Sequence, residues 1–210
     1  MNKTVILIHG LYMNHLSMKI LEYKFKREGF NVLTFNYKTI RFDKDETLRN
    51  LHKMVENINS DIYLVGHSMG GLISRLYKTE FNSINVKKIV TLGTPHNGSH
   101  VAKFINGTKL RGLLGNSGES GIIKQLPDWE SQCEMGCIIG IGDFGLNLIF
   151  GKVHGKHGDN DGTVFVDEAS VNCPTDKIIM KVSHLGMLSS NSVFKESLSF
   201  INNSKFSKFN

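Results

Sequence analysis

Six short runs rich in Val and Ile limit the folds open to this chain: residues 4–8, 31–36, 62–65, 88–92, 137–141 and 178–182. Most do not alternate cleanly between apolar and polar residues. A strand apolar on both sides needs cover on both sides, as in a parallel sheet sandwiched between helices. The intervening segments have the matching pattern. Residues 16–28 end at Gly29, a residue suited to a helix C-terminus. In 46–58, Leu48, Leu51, Val55 and Ile58 fall at helical spacing. Residues 69–80 form a third candidate helix. In 191–201, Val193, Phe194, Leu198 and Ile201 form one stripe. Strand and helix in alternation imply right-handed βαβ units. The expected fold class is α/β: a central, mostly parallel sheet of about six strands flanked by helices.

No internal repeat or linker divides the 210 residues, so residues 1–210 read as a single domain. The rhythm breaks between 96 and 160. That stretch is Gly-rich, holds one convincing strand and carries an apolar run at 144–150. A long irregular insertion in a regular α/β domain tends to be functional, and a small cap or lid is expected there.

Composition narrows the class further. Hydrophobic residues make up 40% and charged residues 21%, as in soluble globular proteins. The net charge is +6, yet no cluster of Lys and Arg stands out, so nucleic-acid binding is not expected. The positive charge leaves peripheral contact with a lipid surface open. The three cysteines, Cys133, Cys137 and Cys173, read as inert thiols, with a facultative bridge as the alternative. No apolar run approaches membrane-spanning length, and residues 5–8 are too short for a signal sequence. A soluble, cytoplasmic protein is expected. Oligomeric state is not readable from the sequence.

The segment Gly66-His67-Ser68-Met69-Gly70-Gly71 carries the strongest chemical signal. A strand precedes it and a helix follows. In this setting a serine sits on a strained turn, flanked by small residues that let neighbouring chain approach. The turn lifts the hydroxyl above the sheet edge and aims the next backbone N–H, that of Met69, at a forming oxyanion. A phosphate-binding loop is the competing reading, but no Gly-Lys-Ser/Thr follows. His9-Gly10 comes directly after the first strand, where a second oxyanion donor would arise. Leu11 is the first candidate donor and Tyr12 the second. His9 reads as a residue that structures this loop.

A serine hydroxyl needs a base, and the base needs an orienting carboxylate. Five histidines follow Ser68: His96, His100, His154, His157 and His184. Only His184 lies between a last strand and a last helix, so it is the expected base. The acid candidates are Asp143, Asp159, Asp161 and Asp167. Asp161, in the turn Gly158-Asp159-Asn160-Asp161-Gly162, is favoured, with Asp159 and Asp143 left open. Gly93-Thr94-Pro95-His96-Asn97-Gly98-Ser99 reads as a pocket wall or a structural loop. Tyr12 and His67 are candidate substrate contacts. Phe144 and Leu146 are too, although the 144–150 run reads equally well as core.

Taken together, His9-Gly10, the Gly66–Gly71 segment, Leu92-Gly93-Thr94-Pro95-His96, Asn160-Asp161-Gly162-Thr163-Val164 and Ser183-His184 resemble the lipase and esterase branch of the α/β-hydrolases. They are also similar to the inositol-deacylase-like subgroup. The resemblance covers residues 9 to 186. It implies Ser68 as nucleophile, Asp161 as acid, His184 as base and the Leu11 and Met69 amides as oxyanion hole. It implies hydrolysis of a small-molecule or lipid acyl ester, with no metal or organic cofactor. Acyl transfer and thioester or amide cleavage use the same residues and stand as alternatives. A non-catalytic binding module on the same fold is the rival of a different class.

Overall fold

The computed structural model describes residues 3–81, 83–108, 112, 114, 116, 125–142, 158–172 and 174–208. Six strands form one sheet: β1 Lys3–Ile8, β2 Asn31–Phe35, β3 Asp61–His67, β4 Val86–Leu92, β5 Glu134–Gly140 and β6 Asp176–Met180. Their order is β2-β1-β3-β4-β5-β6, and every pairing is parallel. The helices are α1 Lys19–Arg27, α2 Lys44–Glu56, α3 Met69–Phe81, α4 His100–Asn106, α5 Val166–Ala169 and α6 Asn191–Asn203.

The runs lack alternation because both sheet faces are covered. Ile6 and Ile8 of β1 pack with Leu48 and Leu51 of α2 and Leu72 and Ile73 of α3. Val5 and Leu7 pack on the other face, with Leu21 and Phe25 of α1 and Val193 and Phe200 of α6. Each such side chain, fully withdrawn from water, contributes about 1.5–3 kcal/mol.

Register then sets the site. Ile8 pairs with Phe35 and Gly66, His67 with Leu92, Leu92 with Ile138, and Gly140 with Met180. The strands therefore end together, and the loops after them share one carboxyl rim, where ligands bind in open α/β sheets.

Several elements differ from the expected ones. β6 ends at Met180, two residues short of 182, because the Val182 N–H turns back to donate to the Met180 carbonyl at 2.9 Å. β6 is also an edge strand whose burial alternates, unlike the interior strands. Before α1, residues His15–Met18 wind as a 3₁₀ turn capped by the Asn14 side chain. α4 was not anticipated. It lies within 96–160, where Val101, Ala102 and Ile105 join the core. In that same stretch β5 is an interior strand of the sheet. Phe144 and Leu146 fall outside the described residues, as do Asp143, His154, His157 and Cys173. Among the described residues, no helix is long and apolar enough to cross a membrane.

Candidate active site

β3 ends at His67 and α3 starts at Met69, leaving Ser68 alone at the corner. Its φ is +53°, a conformation that costs a non-glycine residue free energy. Neighbours hold it there. The Ser68 N–H donates to the Leu92 carbonyl at 2.9 Å. Its own carbonyl accepts from the Gly71 N–H and from Thr94 Oγ1, each at 3.0 Å. The flanking glycines are needed for clearance. A Cβ on Gly66 would lie 2.5 Å from the Gly70 backbone, and one on Gly70 would collide with the Ile8 and His9 carbonyl oxygens.

Two other loops of the rim bring Asp161 and His184 together. Asp161 Oδ1 accepts from the N–H groups of Thr163 at 2.9 Å and Val164 at 2.7 Å, which orients the carboxylate. Its Oδ2 lies 2.7 Å from His184 Nδ1. Asp161 is 1% exposed and His184 is 6% exposed, so this pair is shielded from water. A carboxylate only accepts, so the imidazole proton sits on Nδ1 and the lone pair on Nε2. The backbone of residue 184 is held as well. Its N–H donates to the Asp161 carbonyl at 2.7 Å, and its carbonyl accepts from His67 Nε2 at 3.0 Å. Asp159 is exposed, and the Asp167 carboxylate accepts from the Glu168 N–H.

Ser68 and His184 open onto one cavity of about 550 Å³, which Leu11, Tyr12 and Met69 also line. Its far wall is apolar, from Val101, Ala102 and Ile105 on α4 together with Leu114. Among the described lining residues there is no Asp, Glu, Lys or Arg. The Tyr12 N–H is engaged by Thr39 Oγ1 at 3.2 Å, which leaves Leu11 the better placed of the two candidate amides. Met69 is the first residue of α3, where a helix N–H has no partner within the helix.

The remaining histidines do different work. His67 lines the cavity yet is fully buried, and its Nε2–H is committed to the His184 carbonyl. Burial, with His184 beside it, pushes His67 down to about 3, so the ring is neutral. His9 stacks on Tyr37 at 4.4 Å, and its carbonyl accepts from the Tyr37 hydroxyl at 2.8 Å, which shapes the loop ahead of Leu11. His96 is buried against Arg75 Nη1 at 3.0 Å, and Arg75 Nη2 donates to the Pro127 carbonyl at 2.6 Å. That clamp ties α3 to the segment leading into β5. Burial raises the Cys133 and Cys137 thiols to about 11, so both are protonated and unreactive at neutral pH. Among the described residues, no cluster of three or more His, Cys, Asp or Glu side chains is arranged to hold a metal.

Gly93, which the sequence offers only as part of a pocket wall or structural loop, closes directly against the candidate acid and base. Its φ is +55°, and a Cβ there would lie 2.8 Å from Asp161 Oδ2 and 3.0 Å from His184 Nδ1. Its place at the end of β4, before Thr94-Pro95, was the available signal.

Comparison with known proteins bears on the fold. Residues 45–125 match the model of a PGAP1-like alpha/beta domain. No curated protein sequence matches the chain. Among solved structures, the chain is similar to the Bacillus licheniformis lipase BlEst2. In the propeptide form the TM-score is 0.77 at 19% identity, over 100% of this chain and 52% of that one. In the mature form it is 0.70 at 20% identity, over 95% and 90%. The chain thus spans about half of the propeptide-form chain. It is similar also to the type II thioesterase BorB of the borrelidin cluster, with a TM-score of 0.65 at 13% identity, over 94% and 90%. The chain has the α/β-hydrolase fold.

Proposed function

We propose that this chain is a serine hydrolase that cleaves carboxylic esters through an acyl-enzyme intermediate. The observation that carries the reading is the shielded 2.7 Å contact between Asp161 and His184, on the same cavity as a serine held at φ +53°. His184 Nε2 takes the Ser68 proton as Oγ attacks the acyl carbonyl. The Leu11 and Met69 amides receive the oxyanion. His184 then protonates the leaving alcohol, and a water activated by the same ring releases the acyl group. Asp161 fixes the ring tautomer and stabilises the imidazolium. The cavity's described lining is mostly apolar and holds no Asp, Glu, Lys or Arg, which favours an uncharged, hydrocarbon acyl group.

Turnover of a soluble nitrophenyl ester by purified protein tests this. Ser68→Ala should cut kcat by about 10⁴-fold or more with the unfolding transition retained. Undiminished hydrolysis in that variant would reject the scheme.

A further inference from the structure

Large apolar side chains stand exposed around the cavity mouth. Eight large hydrophobic residues are exposed in the described chain: Tyr12, Leu16, Ile20, Tyr23, Ile40, Ile84, Ile179 and Leu185. Six of them belong to the carboxyl rim or the elements that lead from it. Tyr12 and Leu185 line the cavity itself. Leu16 and Ile20 follow Tyr12 into the start of α1, and Tyr23 continues that stripe one turn further along the helix. Ile40 belongs to the turn after β2, which is joined to the Tyr12 loop by the Thr39 contact. The other two exposed residues lie elsewhere: Ile179 on the edge strand and Ile84 ahead of β4, at the opposite end of the sheet.

The charges interleaved with this ring are mainly positive. Ile40 is flanked by Lys38 and Arg41, and Lys181 follows β6. All three are exposed, and none forms an ion pair among the described residues. Of the acids near the rim, Glu46 and Asp159 are exposed and form no ion pair among the described residues, whereas three others are engaged. Glu22 sits between Lys19 at 2.8 Å and Lys26 at 2.7 Å, Asp43 caps α2 through the Glu46 N–H at 2.8 Å, and Asp45 pairs with Lys44 at 3.3 Å. An apolar ring carrying unpaired cations is complementary to an anionic bilayer. Such a surface attracts each basic residue and accepts apolar side chains at the headgroup boundary.

We propose that the carboxyl rim docks on anionic phospholipid, with Leu16, Ile20, Tyr23 and Ile40 entering the interface and Lys38, Arg41 and Lys181 meeting the headgroups. This turns the mouth of the cavity toward the bilayer, so that a lipid ester would enter from the membrane. That last consequence rests on the ester-hydrolase reading, but the docking itself does not.

Co-sedimentation of the full chain with vesicles of phosphatidylcholine, alone or mixed equally with phosphatidylglycerol, tests the docking. Binding is expected to the mixed vesicles and to weaken as salt is raised. Lys38→Glu with Arg41→Glu should lower the partition coefficient about 25-fold or more, at about fivefold per basic residue lost. Leu16→Ser, Ile20→Ser and Tyr23→Ser combined should lower it similarly, with unchanged unfolding temperature confirming an intact fold. Equal binding to both vesicle types, no binding, or variants that bind like wild type would overturn the proposal. So would a dimer in light scattering that the triple variant dissolves, since a second copy would then own the surface. Hydrolysis of a soluble acetate ester by the wild type reads the catalytic proposal separately.

Discussion

Four buried histidines share the same chemistry and have different surroundings. His184 faces a carboxylate and the cavity, His67 a carbonyl, His9 a tyrosine ring, and His96 a guanidinium. The chain order of serine, acid and base could single out His184, because only one histidine lies between the last strand and the last helix. It could not assign His67, whose partner lies 117 residues away. His67, a candidate substrate contact by sequence, lines the cavity, and its Nε2–H also holds the loop that carries the candidate base. A test at this scale separates that holding role from simple bulk. His67→Leu should leave the buried His184 carbonyl without its donor, costing about 1–3 kcal/mol of stability. If the loop then drifts, kcat should fall about tenfold while KM changes little. His67→Gln, whose amide can still donate, should recover much of that loss. Steady-state kinetics and urea melts of both variants decide it; equal damage in both would remove the hydrogen bond from the account.

Elements were legible where hydrophobic pattern alone sets them. Interior strands and α1, α2, α3 and α6 carry long apolar runs or stripes, and their reading needed no tertiary knowledge. Short elements were not. α4 has seven residues and three buried ones, and its start depends on a cap in which the Ser99 side chain accepts from the Ala102 N–H at 3.2 Å. β6 has one neighbour, so a local turn at Val182 decides where it stops. The strand–corner–helix unit around Ser68 is the most constrained of all. α3 lies against the end of β1 so closely that residue 70 has no room for a side chain. Gly70→Ala should therefore destabilise the protein by ~3 kcal/mol, through overpacking against backbone that cannot move aside. Chemical denaturation measures it. A variant as stable as wild type would mean that β1 and α3 are not held at this separation.

For the whole molecule, burying neutral histidines has a price in acid. Desolvation depresses His9, His67 and His96 from their usual range, His67 to about 3. In the unfolded chain each takes up a proton near pH 6.5, whereas in the fold it does not. Stability is therefore complete above about pH 6.5 and is lost as pH falls through the interval down to the folded values. Once the unfolded chain is protonated and the fold is not, each histidine contributes a slope of about 1.4 kcal/mol per pH unit. Unfolding free energies at pH 7 and pH 5 should differ accordingly, and His67→Gln should lessen the difference. A flat profile would contradict the neutral, buried state of these rings. At this scale the sequence was most legible: strand and helix in alternation, apolar on both sheet faces, led to the parallel sheet and its rim. It could not show Gly93 closing against Asp161 and His184, since that contact joins three loops brought together only by the register of β3, β4, β5 and β6.

Activity of the proposed kind requires Ser68 to be an activated nucleophile oriented by its partners. Intact-mass analysis after exposure to a fluorophosphonate, followed by peptide mapping, reads this directly. One adduct per chain on Ser68 is expected, with labelling slowed by orders of magnitude in His184→Ala and strongly in Asp161→Asn. An unlabelled wild-type chain, or label on another residue with Ser68 free, would contradict it.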